Sequence, residues 1–171
     1  MKESLAKIKL VLLDVDGVLT DGRITYSDSG EQIKSFNSKD GLGIRLLMDA
    51  GIQVGIITGR TSGALRHRCD NLGLTMLFDG IKNKAESIAT IAEETGIAPE
   101  EMTFVGDDLI DLPAMTRVGF SVAVADAVHE VRCQANHVTQ AKGGHGAVRE
   151  VSELILKSRG LWDAVLDRFL Q

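Results

Sequence analysis

Polar residues capable of chemistry follow directly after several short apolar runs of the chain. Asp14-Val15-Asp16-Gly17 follows the first run, Thr58-Gly59-Arg60 follows the second, and Gly106-Asp107-Asp108 follows a later one, with Asp111 one helical turn further on. If these runs are parallel strands, their carboxyl ends meet at one edge of the sheet, where open parallel sheets bind ligands. We therefore expect these side chains to converge although they are far apart in the sequence.

The converging carboxylates favour a magnesium site. Asp14, Asp16 and Asp107 would bring about three negative charges together, and a few hard oxygen ligands suit Mg²⁺, which binds carboxylates together with a substrate phosphate. The four histidines show no spacing typical of a zinc site. Bound magnesium would let an anionic carboxylate approach an anionic phosphate.

A phosphate would also need donors and a balancing cation. Thr58 offers a hydroxyl, and the amides after it open a helix, whose N-terminus favours anions. Lys84 begins the helix after the next strand and is the expected cation. Lys82 is the competing candidate: it lies two positions before Lys84, so the two side chains would face apart on one helical turn.

Two of the aspartates have alternative roles that the spacing leaves open. Asp108 could support the waters of the metal or cap the next helix, since aspartate is a favoured N-cap residue. Asp111 could support the metal or order the loop without touching it.

The apolar runs have the composition of strands buried on both faces of a sheet. They are Leu10–Leu13, Val54–Ile57, Met76–Phe78, Met102–Val105 and Ser121–Val124. Amphipathic patterns predict helices at about Leu42–Ala50, Ser62–Leu72, Lys84–Thr95, Leu112–Arg117, Ala127–Cys133, Ala147–Ser158 and Leu161–Leu170. The alternation predicts an α/β fold, a Rossmann-like parallel sheet with helices on both faces.

One segment, Gly22 to Phe36, interrupts this alternation and is typical of an inserted β-hairpin. Ser27-Asp28-Ser29-Gly30 supplies its turn. Side chains of a strand alternate between its two faces, so Ile33 and Phe36 would point to opposite faces. The second arm therefore lacks the regular alternation of a strand with one apolar face.

The spacing of the motifs leaves no room for a separate cap domain. Asp14 to Thr58 holds the hairpin and one helix, and Thr58 to Lys84 holds one helix and one strand. Enzymes usually exclude bulk water from such a site, and a two-stranded hairpin is marginal alone. We therefore expect the hairpin to pack on another subunit. The loop Lys142–Gly146 either reaches a neighbour's site or simply leads into the helix at Ala147.

Length, composition and charge favour a single domain and argue against proteins that bind nucleic acids or span membranes. The chain has 171 residues, near the ~150 of one average domain, so we expect a single domain over 1–171, with a tail from about residue 142. A net charge of −5 argues against nucleic-acid binding. The longest stretch free of charged residues, Ala50–Gly59, is far shorter than the ~20 residues that span a bilayer. Without a signal-peptide pattern or CxxC motif, the expected location is the cytoplasm, with no membrane partner.

Taken in order, these motifs resemble those of the haloacid dehalogenase-like phosphohydrolases. The motifs are Asp14 to Thr20, Thr58-Gly59-Arg60, Lys84 and Gly106 to Asp111. Further segments are similar to those of the capless 3-deoxy-D-manno-octulosonate 8-phosphate phosphatases: Asp21-Gly22, Phe36-Asn37, Lys39 to Ile44, Ile56 to Arg60 and Lys142 to Glu150. The resemblance spans about residues 8 to 157.

The resemblance implies a role for each matching residue. Asp14 would be the nucleophile that forms an aspartyl phosphate, and Asp16 would protonate the leaving alcohol and then activate water. Asp14, the main-chain carbonyl of Asp16, and Asp107 would hold Mg²⁺, with Asp108 or Asp111 in support. Asp16, Thr58, Gly59, Arg60 and Lys84 would bind substrate, with Thr58, Gly59 and Lys84 on the phosphoryl group and Arg60 reaching the carboxylate or sugar.

The implied activity is hydrolysis of 3-deoxy-D-manno-octulosonate 8-phosphate to the sugar acid and phosphate, a step in lipopolysaccharide sugar biosynthesis. The family also implies a homotetramer whose hairpins form a central barrel. Two alternatives stay open: a nonulosonate 9-phosphate phosphatase, and a non-catalytic oligomerisation module of the same fold. The presence of Asp14, Asp16, Lys84 and Asp107 argues against the second.

Overall fold

A six-stranded parallel sheet forms the centre of the molecule. The computed structural model describes residues 2–170. The sheet strands are β1 (Leu10–Leu13), β4 (Gln53–Ile57), β5 (Met76–Phe78), β6 (Met102–Gly106), β7 (Phe120–Ala123) and β8 (His137–Val138), and the hairpin supplies β2 (Thr25–Tyr26) and β3 (Gln32–Ile33). The order across the sheet is β5-β4-β1-β6-β7-β8, and every neighbouring pair is parallel. The expected α/β class is thereby confirmed.

Helices connect the strands and cover the sheet. They are α1 (Lys2–Ala6), α2 (Ser38–Asp49), α3 (Gly63–Leu72), α4 (Lys84–Thr95), α5 (Leu112–Met115), α6 (His129–Gln134), α7 (Ala147–Ser158) and α8 (Trp162–Asp167). Right-handed crossovers place α2 and α3 on one face and α4, α5 and α6 on the other, and α7 packs against α2. Both faces of β1 and β6 are buried as a result.

The order of the strands reverses between β1 and β6. From β1 the chain moves outward to β4 and β5, and from β6 it moves outward in the other direction to β7 and β8. Such a switch point opens a crevice beyond the carboxyl ends of the two strands. Asp14 follows β1 and Asp107 lies just beyond β6, so the topology places both beside this crevice.

Helix α2 begins four residues before the predicted start at Leu42. Asn37 caps it by accepting a hydrogen bond from the Lys39 amide at 2.8 Å. Gly41 and Gly43 lie inside the helix, and because glycine disfavours helices, the sequence did not predict this first turn. A Cβ at Gly43 would lie 3.0 Å from the Cα of Arg149 in α7, so the glycine permits close packing of α2 on α7.

The hairpin is present, but its strands are only two residues each. Thr25 pairs with Ile33 and Tyr26 with Gln32. The strand ends at Ile33, so Phe36 lies outside it, which explains why these two apolar residues do not follow the alternation of one strand. Apart from this hairpin and α2, the fully described segment between β1 and β4 holds no further helix or strand, so no cap domain is inserted there.

The remaining differences concern short elements. Helix α1 and the edge strand β8 were not predicted, because β8 has two residues and both elements show little periodicity. Helix α5 is shorter than predicted, and α6 begins at His129 rather than Ala127. Within residues 2–170, no helix has the length and apolar character needed to cross a bilayer.

Candidate active site

A buried ion pair lies at the centre of the crevice. Lys84 is the first residue of α4, whose preceding Asn83 caps the helix through the Ala85 amide. The Nζ of Lys84 donates to Oδ1 of Asp14 at 2.6 Å, and the side chains of Lys84 and Asp14 are at most 5% exposed. Lys82 is exposed, so of these two lysines it is Lys84 that reaches Asp14.

The ionisation of this pair reflects burial and neighbouring charge. The pKa of Asp14 is raised to about 6, chiefly by burial and then by the charge of Asp111, while Lys84 opposes the rise. Burial alone would lower the pKa of the Lys84 ammonium, but Asp14 and Asp111 together raise it above its ordinary value. Lys84 therefore stays charged and orients the Asp14 carboxylate.

Asp111 is fully buried and holds the loop after β6. Its Oδ1 accepts from Lys84 at 2.6 Å. Its Oδ2 accepts from the amides of Asp107 at 2.9 Å and Asp108 at 3.3 Å. Both oxygens of Asp111 are thus hydrogen-bonded within the protein, and these bonds order the loop that carries Asp107 and Asp108.

Asp108 takes the capping role at the same loop. Its side chain accepts from the Leu109 amide at 2.7 Å and forms a capping box with Asp111 around the 3₁₀ turn Leu109–Asp111. This turn fixes the direction in which the neighbouring Asp107 side chain leaves the backbone.

Asp107 faces Asp14 across the crevice. Carboxylate oxygens of Asp14, Asp107 and Asp111 lie within 4.8 Å of one another. The pKa of Asp107 is raised to about 8, chiefly by burial and then by the charges of Asp111, Asp14 and Asp108. Gly17 permits this approach: its φ is +95°, and a Cβ there would lie 2.0 Å from Oδ2 of Asp107.

Asp16 and the second motif complete the walls of the crevice. The cavity has a volume of about 420 Å³ and is lined in part by Asp14, Asp16, Thr58, Gly59, Arg60, Asp107 and Asp108. Thr58 is buried, and its backbone is fixed by hydrogen bonds to Phe78 and Ile81. Nε of Arg60 lies 3.7 Å from Oδ2 of Asp16, and the arginine side chain is 51% exposed.

Two residues that support this site had no role predicted from the sequence. Thr20 is buried, and its hydroxyl accepts from the amides of Gly17 and Gly22 and donates to the Val15 carbonyl, which closes the loop around Asp16. Lys34, in the hairpin, donates to Oδ1 of Asp16. Lys34 lies among polar and apolar residues of the second arm, from Glu31 to Phe36, with no motif or regular alternation that would have predicted its contact.

The Gly-rich loop Lys142–Gly146 contacts the first motif of its own chain. The Gly144 amide donates to the Val18 carbonyl at 2.9 Å, and a Cβ at Gly143 would lie 1.7 Å from the Gly17 oxygen. Asp40 holds the end of this loop by accepting from the amides of Gly146 and Arg149. Lys142 itself is exposed at the surface.

Comparison with known proteins agrees with this arrangement. A haloacid dehalogenase-like hydrolase family model matches residues 78–151. The chain is 49% identical over 156 residues to 3-deoxy-D-manno-octulosonate 8-phosphate phosphatase of Escherichia coli (strain K12), covering 91% of this chain and 83% of that protein.

Solved structures give the same result. The crystal structure of 3-deoxy-D-manno-octulosonate 8-phosphate phosphatase from Yersinia pestis superposes with a TM-score of 0.93 at 44% identity, covering 95% of this chain and 88% of that one. The enzyme of the same name from Moraxella catarrhalis, in complex with a magnesium ion, a phosphate ion and a KDO molecule, has a TM-score of 0.96 at 38% identity, covering 98% and 97%.

Proposed function

Since the chain belongs to the family of 3-deoxy-D-manno-octulosonate 8-phosphate phosphatases, we propose that it hydrolyses this sugar phosphate to the free sugar acid and phosphate. The proposal places the enzyme in lipopolysaccharide sugar biosynthesis. The observation that carries it is the buried Asp14–Lys84 pair facing Asp107 in a crevice that also contains Asp16 and Thr58.

The donor set at the switch point fits Mg²⁺. Asp14 and Asp107 offer hard carboxylate oxygens, and burial together with the neighbouring Asp111 charge raises both pKa values, as expected where a cation is needed for balance. We assign these two carboxylates and the main-chain carbonyl of Asp16 to the metal, and Asp111 to the surrounding loop. When bound, the ion neutralises charge on the phosphoryl group.

The chain's own residues supply the two chemical steps. A carboxylate oxygen of Asp14 attacks phosphorus, the bond from phosphorus to the sugar oxygen breaks, and Asp16 donates its proton to that oxygen. Asp16 then takes a proton from water, whose oxygen attacks the phosphorus of the aspartyl phosphate. Cleavage of the bond to Asp14 releases phosphate and restores the carboxylate.

Binding of the phosphoryl group is assigned to the second motif and Lys84. Thr58 and Gly59 border the cavity, and the Lys84 ammonium offsets charge beside Asp14. Arg60, half exposed at the rim, is assigned to the carboxylate at the far end of the sugar acid, because its guanidinium fits a carboxylate in a bidentate manner.

The proposal extends to assembly and location. Three apolar hairpin residues, Ile24, Tyr26 and Ile33, are 39%, 57% and 53% exposed, which supports a homotetramer built through the hairpins, with neighbours covering each site. One continuous hydrophobic core supports a single domain over 1–171. Two free cysteines, Cys69 and Cys133, suit the reducing cytoplasm.

A panel of phosphate esters tests the activity. Phosphate release in Mg²⁺ should give a higher kcat/KM for 3-deoxy-D-manno-octulosonate 8-phosphate than for a nonulosonate 9-phosphate or glucose 6-phosphate. A preference for the nine-carbon acid would favour the related phosphatase, and a preference for the neutral sugar would overturn the assignment of an acidic substrate. No release from any ester would indicate a non-catalytic module.

A further inference from the structure

Asp16 contacts a lysine that lies outside all four motifs. Lys34 follows β3 in the second arm of the hairpin, and its Nζ donates to Oδ1 of Asp16. The Lys34 side chain is 3% exposed, whereas that of Asp16 is 19% exposed. The hairpin therefore delivers a buried cation to the edge of the crevice.

The burial of Lys34 reverses the usual placement of residue types. Its neighbour Ile33 is 53% exposed, so the apolar residue points outward while the charged one is buried. Removing an ammonium group from water is costly unless a partner compensates for it. The compensating carboxylate is that of Asp16, which ties the hairpin to the first motif.

A second cation approaches the same carboxylate from its other oxygen. Nε of Arg60 lies 3.7 Å from Oδ2 of Asp16, and the Arg60 side chain is 51% exposed. Asp16 is thus held between a buried cation and a half-exposed one. Without Lys34, the remaining cationic partner would draw the carboxyl group toward the cavity rim.

We propose that Lys34 is a positioning residue that holds the carboxyl group of Asp16 in the orientation needed for proton transfer. This inference rests on the proposed function, in which Asp16 donates a proton to the leaving oxygen and later accepts one from water. Lys34 keeps its own protons throughout. Placement of the hairpin and orientation of the acid–base group are thereby linked through one contact.

The expected effect follows from the value of a positioned acid–base group. Such groups contribute about 10²–10⁴-fold to rate, and a displacement of about 1 Å can cost 10²-fold. Lys34→Met keeps the length of the side chain but removes the ammonium, and should lower kcat by about 10- to 100-fold with KM changed less than about threefold. Lys34→Arg, which keeps the charge, should recover most of this loss.

A double-mutant cycle separates positioning from a general structural effect. Single-turnover phosphate release from 3-deoxy-D-manno-octulosonate 8-phosphate would be measured in Mg²⁺ for the full chain, Lys34→Met, Asp16→Asn and the double variant. If Lys34 acts through Asp16, Lys34→Met should cause no further loss in the Asp16→Asn background. Lys39→Met, an exposed lysine at the start of α2, is the matched control and should retain wild-type rates.

Two results would overturn the inference. One is a kcat for Lys34→Met within about threefold of wild type, and the other is an equal further loss in the Asp16→Asn background. If circular dichroism shows that Lys34→Met does not fold, Lys34→Gln replaces it with the same expectations. Failure of the wild type to release phosphate would refute the proposed function, whereas an active wild type with an unaffected Lys34 variant would refute only the role of Lys34.

Discussion

Replacement of Asp111 by Asn tests whether this residue orders the loop or binds the metal. Asp111 is fully buried and accepts from Lys84 at 2.6 Å and from the amides of Asp107 and Asp108. Asparagine keeps the shape and one acceptor oxygen, which can still receive the two amides. It loses the charged interaction with Lys84, because its NH₂ group is a donor.

The size of the effect follows from the hydrogen bonds that each substitution removes. A hydrogen bond to a charged group contributes about 1.5–3 kcal/mol, so Asp111→Asn should lower the free energy of unfolding of the metal-free protein by about that amount. Asp111→Ala also leaves the Asp107 amide without its acceptor, which should cost a further ~1–3 kcal/mol. Glu93→Gln, an exposed charge removal on α4, is the control and should stay within about 0.5 kcal/mol.

Urea unfolding with and without Mg²⁺ separates the two roles of Asp111. Bound metal raises the free energy of unfolding by an amount set by its concentration and Kd. If Asp111 only orders the loop, Asp111→Asn should keep most of this added stability. Loss of the magnesium effect would show that Asp111 is a ligand, and unchanged stability in metal-free buffer would refute the importance of its hydrogen bond with Lys84.

Three further predictions concern the substrate, the pH dependence and the assembly. Arg60→Ala should lower kcat/KM for the octulosonate phosphate by about 10- to 150-fold, the value of one charged contact, but should affect p-nitrophenyl phosphate far less; equal losses would refute the assignment of Arg60. The pKa values of about 6 for Asp14 and about 8 for Asp107 exceed the ~3.9 of an unfolded aspartate, so the native state binds more protons between about pH 4 and pH 8. The free energy of unfolding in chelator should therefore fall as pH rises through this window, and an increase measured by urea unfolding would contradict the raised pKa values. Light scattering should show a tetramer that deletion of residues 23–35 converts to smaller species with poorer selectivity; a fully active monomeric wild type would contradict the proposed subunit cover.

The parts of the fold that were predictable are those with a strong local pattern. The five short apolar runs form strands, because runs rich in Val, Ile and Leu suit burial inside a sheet covered on both faces, and the motif residues follow three of them at the carboxyl ends. The start of α2 could not be predicted, since Gly41 and Gly43 are explained only by the close packing of α3 and α7.

The site was predictable where the chemistry lies in the motifs and not where it depends on tertiary structure. Asp14, Asp107 and Lys84 meet as the spacing predicts, and the competition with Lys82 is decided by burial. Lys34 belongs to an arm whose irregular backbone gives no periodicity, so its approach to Asp16 is visible only in three dimensions. The support of the first motif by the loop Lys142–Gly146 likewise depends on hydrogen bonds between distant parts of the chain.

The nucleophilic role of Asp14 is the central claim, and its replacement tests that claim most directly. Asp14→Asn keeps the size of the side chain but cannot form an acyl phosphate, and rate enhancements for phosphate monoesters reach about 10²¹. Phosphate release from 3-deoxy-D-manno-octulosonate 8-phosphate in Mg²⁺ should therefore be abolished, with the fold intact by circular dichroism. Turnover of a folded Asp14→Asn variant within about tenfold of wild type would contradict the account.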